Sequence, residues 1–352
     1  MQTTKKTIQR VIALVFACHA AWFVLLANDT TYSRQLGQKP PNQIGKIIPE
    51  EENAAMVAPR LSGEDGDQLF TRKGANEVLR QVLERSTANN LVVYNALGKR
   101  HNLALVEHSR RTAFKPDEWD CVGFMFAKED RIPDDDPHLR RLIDELGCAI
   151  PRTPGLAWGD FLQFITPTFV ANYDYIALHL DDIFIPDQGP NKFNSTEFLD
   201  TMKKHDIGIM QPGMIGDSRQ ILHTAKDRGL DGCVAEVNLI ETYVEVFTRD
   251  AWECYSKLLH YTGSRGWCYD VCLQSQCPDF RQAYDFRFRA WHMDREVVKL
   301  PRKLIAGTGL EEWAPEPKIL ENGYQEVMGA AICQRYHCTI EKFIYDEIEC
   351  PI

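Results

Sequence analysis

Residues Tyr173–Ile185 read YDYIALHLDDIFI, a hydrophobic run that stops at two adjacent carboxylates, Asp181 and Asp182. Tyr175 to Leu180 is apolar apart from His179, with an aromatic and a β-branched side chain, and too short for a helix of its own. It therefore reads as a central strand of a parallel sheet. Ligands of such sheets gather outside the carboxyl ends of the strands, where this acidic pair falls. Consecutive strand residues point to opposite faces, so one aspartate can reach a divalent cation while the other serves a neighbouring loop. The alternative reading of an isolated acidic pair is a turn or a helix cap.

Outward from this strand the chain alternates between strand and helix patterns. Leu91–Ala96 and Cys121–Phe126 read as strands. A helix follows, with Asp136 as N-cap, Pro137 at its first position, Gly147 closing it and Leu139, Leu142, Ile143 and Leu146 on its buried face. Trp158, Phe161, Leu162, Ile165 and Phe169 recur at helical spacing up to the Tyr173 strand. Helix Thr196–Lys204 and strand Ile207–Met210 come next. Asn194 opens an N-x-S/T sequon, and with Glu197 it also reads as a helix N-cap and capping box. Thr248 caps a helix carrying Ala251, Trp252, Tyr255, Leu258 and Leu259, ended by Gly263; Trp252 belongs to its apolar face. Tyr284–His292 alternates as a half-buried strand. The acid-rich segment Glu129–Asp136 reads as a solvated turn. This βαβ rhythm predicts an α/β fold built on a doubly wound, mostly parallel sheet, with a less regular C-terminal half. No internal repeat, GxGxxG or P-loop is present.

The 352 residues are 44% hydrophobic and 26% charged, an ordinary globular composition. A net charge of -10 argues against a nucleic-acid surface, though it leaves room for a nucleotide held through a metal. Val11–Ala27 carries no formal charge and follows Lys5, Lys6 and Arg10. At about 1.5 Å per residue it spans roughly 25 Å, enough for a thin secretory-pathway bilayer. The basic flank predicts a cytosolic tail (1–10), a signal-anchor (11–27) and a lumenal remainder in the Golgi or endoplasmic reticulum; a cleaved signal is the rival. Residues 28–73, with four prolines and the Glu50–Glu52 acids, read as a stem, and order is expected near Ala75, where Val78, Leu79, Val82 and Leu83 take up helical spacing, within a catalytic domain of 74–352. Of eleven cysteines, Cys18 lies in the anchor; the other ten read as disulfides in an oxidising compartment, with the pairing open. Cys268, Cys272 and Cys277 lack the paired CxxC spacing of structural zinc sites.

Four blocks in order, YDYIALHLDD from Tyr173, FLDTMKKHDIGIMQPGM from Phe198, VFTRDAW from Val246 and GWCYD from Gly266, resemble the plant and algal domain of unknown function 707 family. The resemblance runs from about Leu91 to His292. Members of that family look like type II membrane glycosyltransferases of the GT-A class, which implies a GT-A-like, Rossmann-related fold and a nucleotide-sugar donor. The family's D-E-D falls here on Leu180, Asp181 and Asp182, so an acid is lost at the first position. The resemblance implies that Asp182 holds Mn²⁺ or Mg²⁺ on the donor diphosphate and that Asp181 contacts the donor side. It further implies a family acid at Glu241, an acid at Asp270 able to deprotonate an acceptor hydroxyl, and a metal-binding imidazole at His292. The alternative readings are a helix cap for Asp270 and a strand-end polar residue for His292. Residues Leu91–Gly98 are expected to meet the base and ribose. The function implied is transfer of a sugar to a glycan or glycoprotein hydroxyl. A lumenal glycan-binding or scaffolding protein on the same fold is the rival, favoured by Leu180. A phosphatase is weaker, because DxDx[TV] is absent.

Overall fold

The computed structural model describes residues 66–127, 129–153, 161–215, 229–260, 269–293, 307–308, 310 and 345–350. The tail, the expected anchor at 11–27, nearly all of the stem, Trp158, Gly263, Gly266–Cys268, Cys333 and Cys338 lie outside them. No helix among the described residues is long and apolar enough to cross a membrane.

Helix α1 (Gly66–Arg85) begins inside the segment read as stem, eight residues before the expected boundary at 74. It buries Ala75 and Leu79. Strand β1 (Asn90–Leu97) follows, then α2 (Leu103–Thr112), β2 (Trp119–Met125), α3 (Pro137–Arg140) and β3 (Cys148–Ala149). Asp136 caps α3 through bonds from the His138 and Leu139 amides. Beyond Arg140 the chain winds as a π-turn over Arg141–Glu145. That wider winding takes Ile143 off the predicted buried face, and it is 41% exposed. The helix expected up to Phe169 is likewise broken: Thr166 caps a new short helix, α4 (Pro167–Val170), with Pro167 in its first turn.

Strands β4 (Tyr175–Leu180) and β5 (Ile183–Phe184) contain the opening motif. After them come α5 (Ser195–Lys204), β6 (Ile207–Ile215), β7 (Val234–Val237), β8 (Val244–Thr248), α6 (Arg249–Ser256), α7 (Tyr269–Gln276), β9 (Arg281–His292) and β10 (Tyr345–Glu349). Asn194 caps α5 and Thr248 caps α6, each through its side-chain oxygen. The sheet order is β10-β7-β9-β6-β8-β4-β1-β2-β3, with β5 on β9. Strands β3, β2, β1 and β4 run parallel. Strands β6 and β9 also pair in parallel, so the central sheet is mostly parallel as expected, but it is mixed: β8 pairs antiparallel with both β4 and β6, and β7 antiparallel with β9. So β4 is parallel to one neighbour only. Strand β9 is buried on both faces rather than half-buried, since it lies inside the sheet between β6 and β7.

Apolar layers cover the two faces. One contains Val93, Ile176, Leu178, Phe247 and Trp252; the other contains Val92, Tyr94, Ala177, Val246 and Phe288. Trp252 is fully buried, its indole N–H donating to the Ile165 carbonyl at 2.9 Å. Disulfides join Cys121–Cys148, Cys233–Cys350 and Cys254–Cys277, and Cys272 is disulfide-bonded as well.

Candidate active site

Chain order reverses at β1. The path goes from β1 to β2 and β3 on one side and returns to β4 on the other, so the carboxyl ends of β1 and β4 form a switch-point crevice. Asp181 stands in it, nearly buried, with its Oδ2 accepting the Gly98 backbone N–H at 3.2 Å. Burial and the adjacent Asp182 charge push the Asp181 carboxyl up to about 7, against the pull of that N–H. A Cβ at Gly98 would fall 1.9 Å from the tip of the Phe126 ring, so a side chain there requires that exposed ring to move. Ala96 beside it has φ +61°, a left-handed conformation uncommon for a residue with a Cβ.

Asp182 points the other way. Its Oδ2 lies 3.3 Å from His292 Nε2, and its Oδ1 is buried with no hydrogen-bond partner among the described residues. The two residues are 110 positions apart and meet because β5 pairs with the end of β9, setting Ile183 opposite His292. The Met293 amide closes the same turn by donating to the Asp182 carbonyl at 2.8 Å. Tyr243 packs on the imidazole with ring centroids 4.7 Å apart.

A second group of polar side chains lies on the face that carries Val93, Ile209 and Phe247. Two residues along their strands from these apolar positions, Asn95, Gln211 and Glu245 occupy the same face. All three are fully buried, and both polar side-chain atoms of each lack a partner among the described residues. The β6–β8 register, Ile209 to Phe247 and Met210 to Val246, continued by one residue, sets Gln211 opposite Glu245. Burial, then the charges of Asp270 and Glu241, hold the Glu245 carboxyl well above the usual carboxylate range. Glu245, Asp270 and Glu241 are thus one electrostatic cluster, roofed by Tyr255 of α6. Asp270, in the first turn of α7, and Glu241 are both half-buried.

Sequence reading missed Glu245, Gln211 and Asn95. The available signal was an acid between Val244 and Val246, alternating out of an otherwise apolar strand. Trp267 of the GWCYD block lies outside the described residues. An open groove of about 410 Å³ at the opposite, amino end of the strands is lined by Asn90, Asp117, Glu118, Asp174, Asp200 and Lys203 among others, and contains no residue of this cluster. Leu180, at the family's first acidic position, packs against both apolar layers.

Residues 157–238 match the family described as "Protein of unknown function (DUF707)", under a quarter of the chain. No curated protein matches. Among solved structures the chain is similar to TarS 1-349 of S. aureus in complex with UDP-GlcNAc, at 10% identity and a TM-score of 0.44, over 70% of each chain. TarS 1-349 in complex with UDP gives 10% identity and a TM-score of 0.41, over 70% of this chain and 69% of that one.

Proposed function

We propose that this chain is a glycosyltransferase that moves a sugar from a nucleotide-sugar donor to a hydroxyl of a glycan or glycoprotein. The observation that carries the reading is the meeting of Asp182 and His292 at the carboxyl edge of the sheet, beside the switch-point crevice. A carboxylate oxygen held buried without a partner, next to an imidazole nitrogen, is a donor pair suited to a divalent cation. Asp182 and His292 would hold Mn²⁺ or Mg²⁺. When bound, such an ion supplies the positive charge that offsets the leaving diphosphate. Among the described residues no group of three or more His, Cys, Asp or Glu is placed to hold a metal ion.

The other residues have separable roles. Asp181, tied to Gly98, shapes the crevice at the end of β1, where the donor base and ribose enter. Asp270 accepts the proton of the attacking hydroxyl, and Glu241 binds beside it. Anchoring by residues 11–27 would place this edge in the lumen of the Golgi or endoplasmic reticulum, where glycan acceptors are met.

One observation favours a second reading, a lumenal glycan-binding protein. Leu180 is packed into both apolar layers, so no acid occupies the family's first acidic position. The two readings separate when the full-length chain in detergent is assayed against a nucleotide-sugar panel with and without Mn²⁺. Metal-dependent donor binding accompanied by transfer or donor hydrolysis supports the enzyme. Binding of glycans with no donor affinity supports the rival.

A further inference from the structure

The flanks of the acidic pair are gripped from the side of the sheet opposite the Asn95, Gln211 and Glu245 cluster. His179 is fully buried in β4, and its Nδ1 lies 2.6 Å from the carbonyl oxygen of Leu180, the last residue of the strand. A carbonyl only accepts, so Nδ1 carries the proton. Burial holds this imidazole neutral, and the other nitrogen, Nε2, therefore presents a lone pair. Ser109 Oγ lies 3.0 Å from Nε2 and donates to it, and the Tyr94 hydroxyl donates to Ser109 Oγ at 3.3 Å. The three side chains form a chain of bonds with one direction, Tyr94 to Ser109 to His179 to the Leu180 carbonyl. All are at most 1% exposed. On the far side of the pair, the residue preceding Ser109 makes the matching contact, with His108 Nε2 lying 3.0 Å from the Ile185 carbonyl and donating to it. Two consecutive residues of α2 thus hold Leu180 before the aspartates and Ile185 after them.

We propose that α2 is the positioning element of the Asp181–Asp182 turn, acting through Ser109 and His179 on one flank and through His108 on the other. The proposal rests on the reading of Asp182 as a ligand of the donor's cation. With Asp181 held at Gly98 and Leu180 in place of an acid, Asp182 faces His292 without a second acid of this turn, so its aim depends on the backbone. Groups that orient a ligand in this way typically change metal affinity by about 10–100-fold when removed.

The test uses the full-length chain in detergent and Mn²⁺ alone as the probe, followed by loss of the free-ion electron-spin signal. Ser109→Ala is expected to weaken Mn²⁺ binding by about 10–100-fold, and Ser109→Thr, which keeps the hydroxyl, to restore it. Independently of binding, nitrogen NMR of the wild-type chain labelled in histidine should show the His179 imidazole, assigned by comparison with His179→Gln, protonated at Nδ1 only. That signal should be absent from His179→Gln. Equal Mn²⁺ affinity in wild type and Ser109→Ala overturns the proposal alone, as does a His179 protonated at Nε2, the readout that remains if Ser109→Ala does not fold. A wild-type chain that binds no Mn²⁺ overturns the metal reading of Asp182 and this proposal with it.

Discussion

Asp181 and Asp182 are neighbours in sequence that do different work because the turn between β4 and β5 sends their side chains apart, one to Gly98 and the other to His292. The sequence marks the acidic pair at the end of a strand, and the structure places it in a turn, the alternative reading of such a pair. The partners are not marked, because they depend on where β1 and β9 come to lie. Glu245 was hidden for a related reason: alternation marks it as an inward position, and only the packing of α6 and α7 over that face leaves it fully buried. Replacing it tests that environment. With a folded-state pKa above its unfolded one, Glu245 is protonated in the native chain while the unfolded chain ionises, so stability falls as pH rises through and beyond the ordinary carboxylate range. Glu245→Gln keeps the shape and removes the titration. Its melting temperature should match wild type near pH 4 and exceed it at pH 8, and an equal deficit at both would refute a buried neutral acid. Asp270→Asn belongs to the same cluster. If Asp270 is the base, the variant should keep donor affinity and lose turnover by about 10²- to 10⁴-fold, whereas a lost acceptor contact would instead raise KM.

At the scale of elements, capping chemistry was readable and geometry beyond the local turn was not. Asp136 before Pro137, Asn194 before the Phe198 helix and Thr248 before Trp252 all cap helices in the structure. The π-turn after α3 and the two-residue strand β5 left no local signature, yet β5 is what joins Asp182 to His292. Helices α2 and α3 are also tied by Glu107, which accepts from His138 at 2.7 Å, Arg141 at 2.8 Å and Arg111 at 3.0 Å. Burial alone would raise the Glu107 carboxyl, but these bonds outweigh it and bring it down to about 2. A depressed folded-state value means the stabilisation is present above the unfolded pKa, near 4.5, and is lost as pH falls toward 2. Denaturant melts of wild type and Glu107→Gln should therefore differ by at least about 1 kcal/mol at pH 6 and converge near pH 2. A constant difference across that range would show that the network contributes through packing instead.

Over the whole molecule, the pattern of alternating strands and helices conveyed an α/β sheet covered on both faces. It could not convey that β8 and β7 run antiparallel to their neighbours while β6 and β9 pair in parallel, because a strand's own sequence does not record the direction of its neighbour. Cysteine count predicted cross-links without pairs. The structure assigns them to sheet margins and helix ends: Cys121–Cys148 ties β2 to β3, Cys233–Cys350 fastens the segment before β7 to the end of β10, and Cys254–Cys277 links α6 to the end of α7. Cys233–Cys350 closes the longest of the three loops, 117 residues, so removing it should cost the most, within the usual range of about 2 to 5 kcal/mol. Paired Cys→Ser variants ranked by chemical denaturation check that order, and a smaller loss for Cys233–Cys350 than for Cys254–Cys277 would contradict it. The central claim concerns the edge where β4, β5 and β9 converge, and its most direct measurement is nucleotide-sugar binding by the full-length chain, wild type against Asp182→Asn, with and without Mn²⁺. Metal-dependent binding in wild type, reduced by roughly 100-fold or more in a folded Asp182→Asn, a loss of about 3 kcal/mol, is the result predicted. Equal donor affinity in the two proteins with Mn²⁺ present would contradict it.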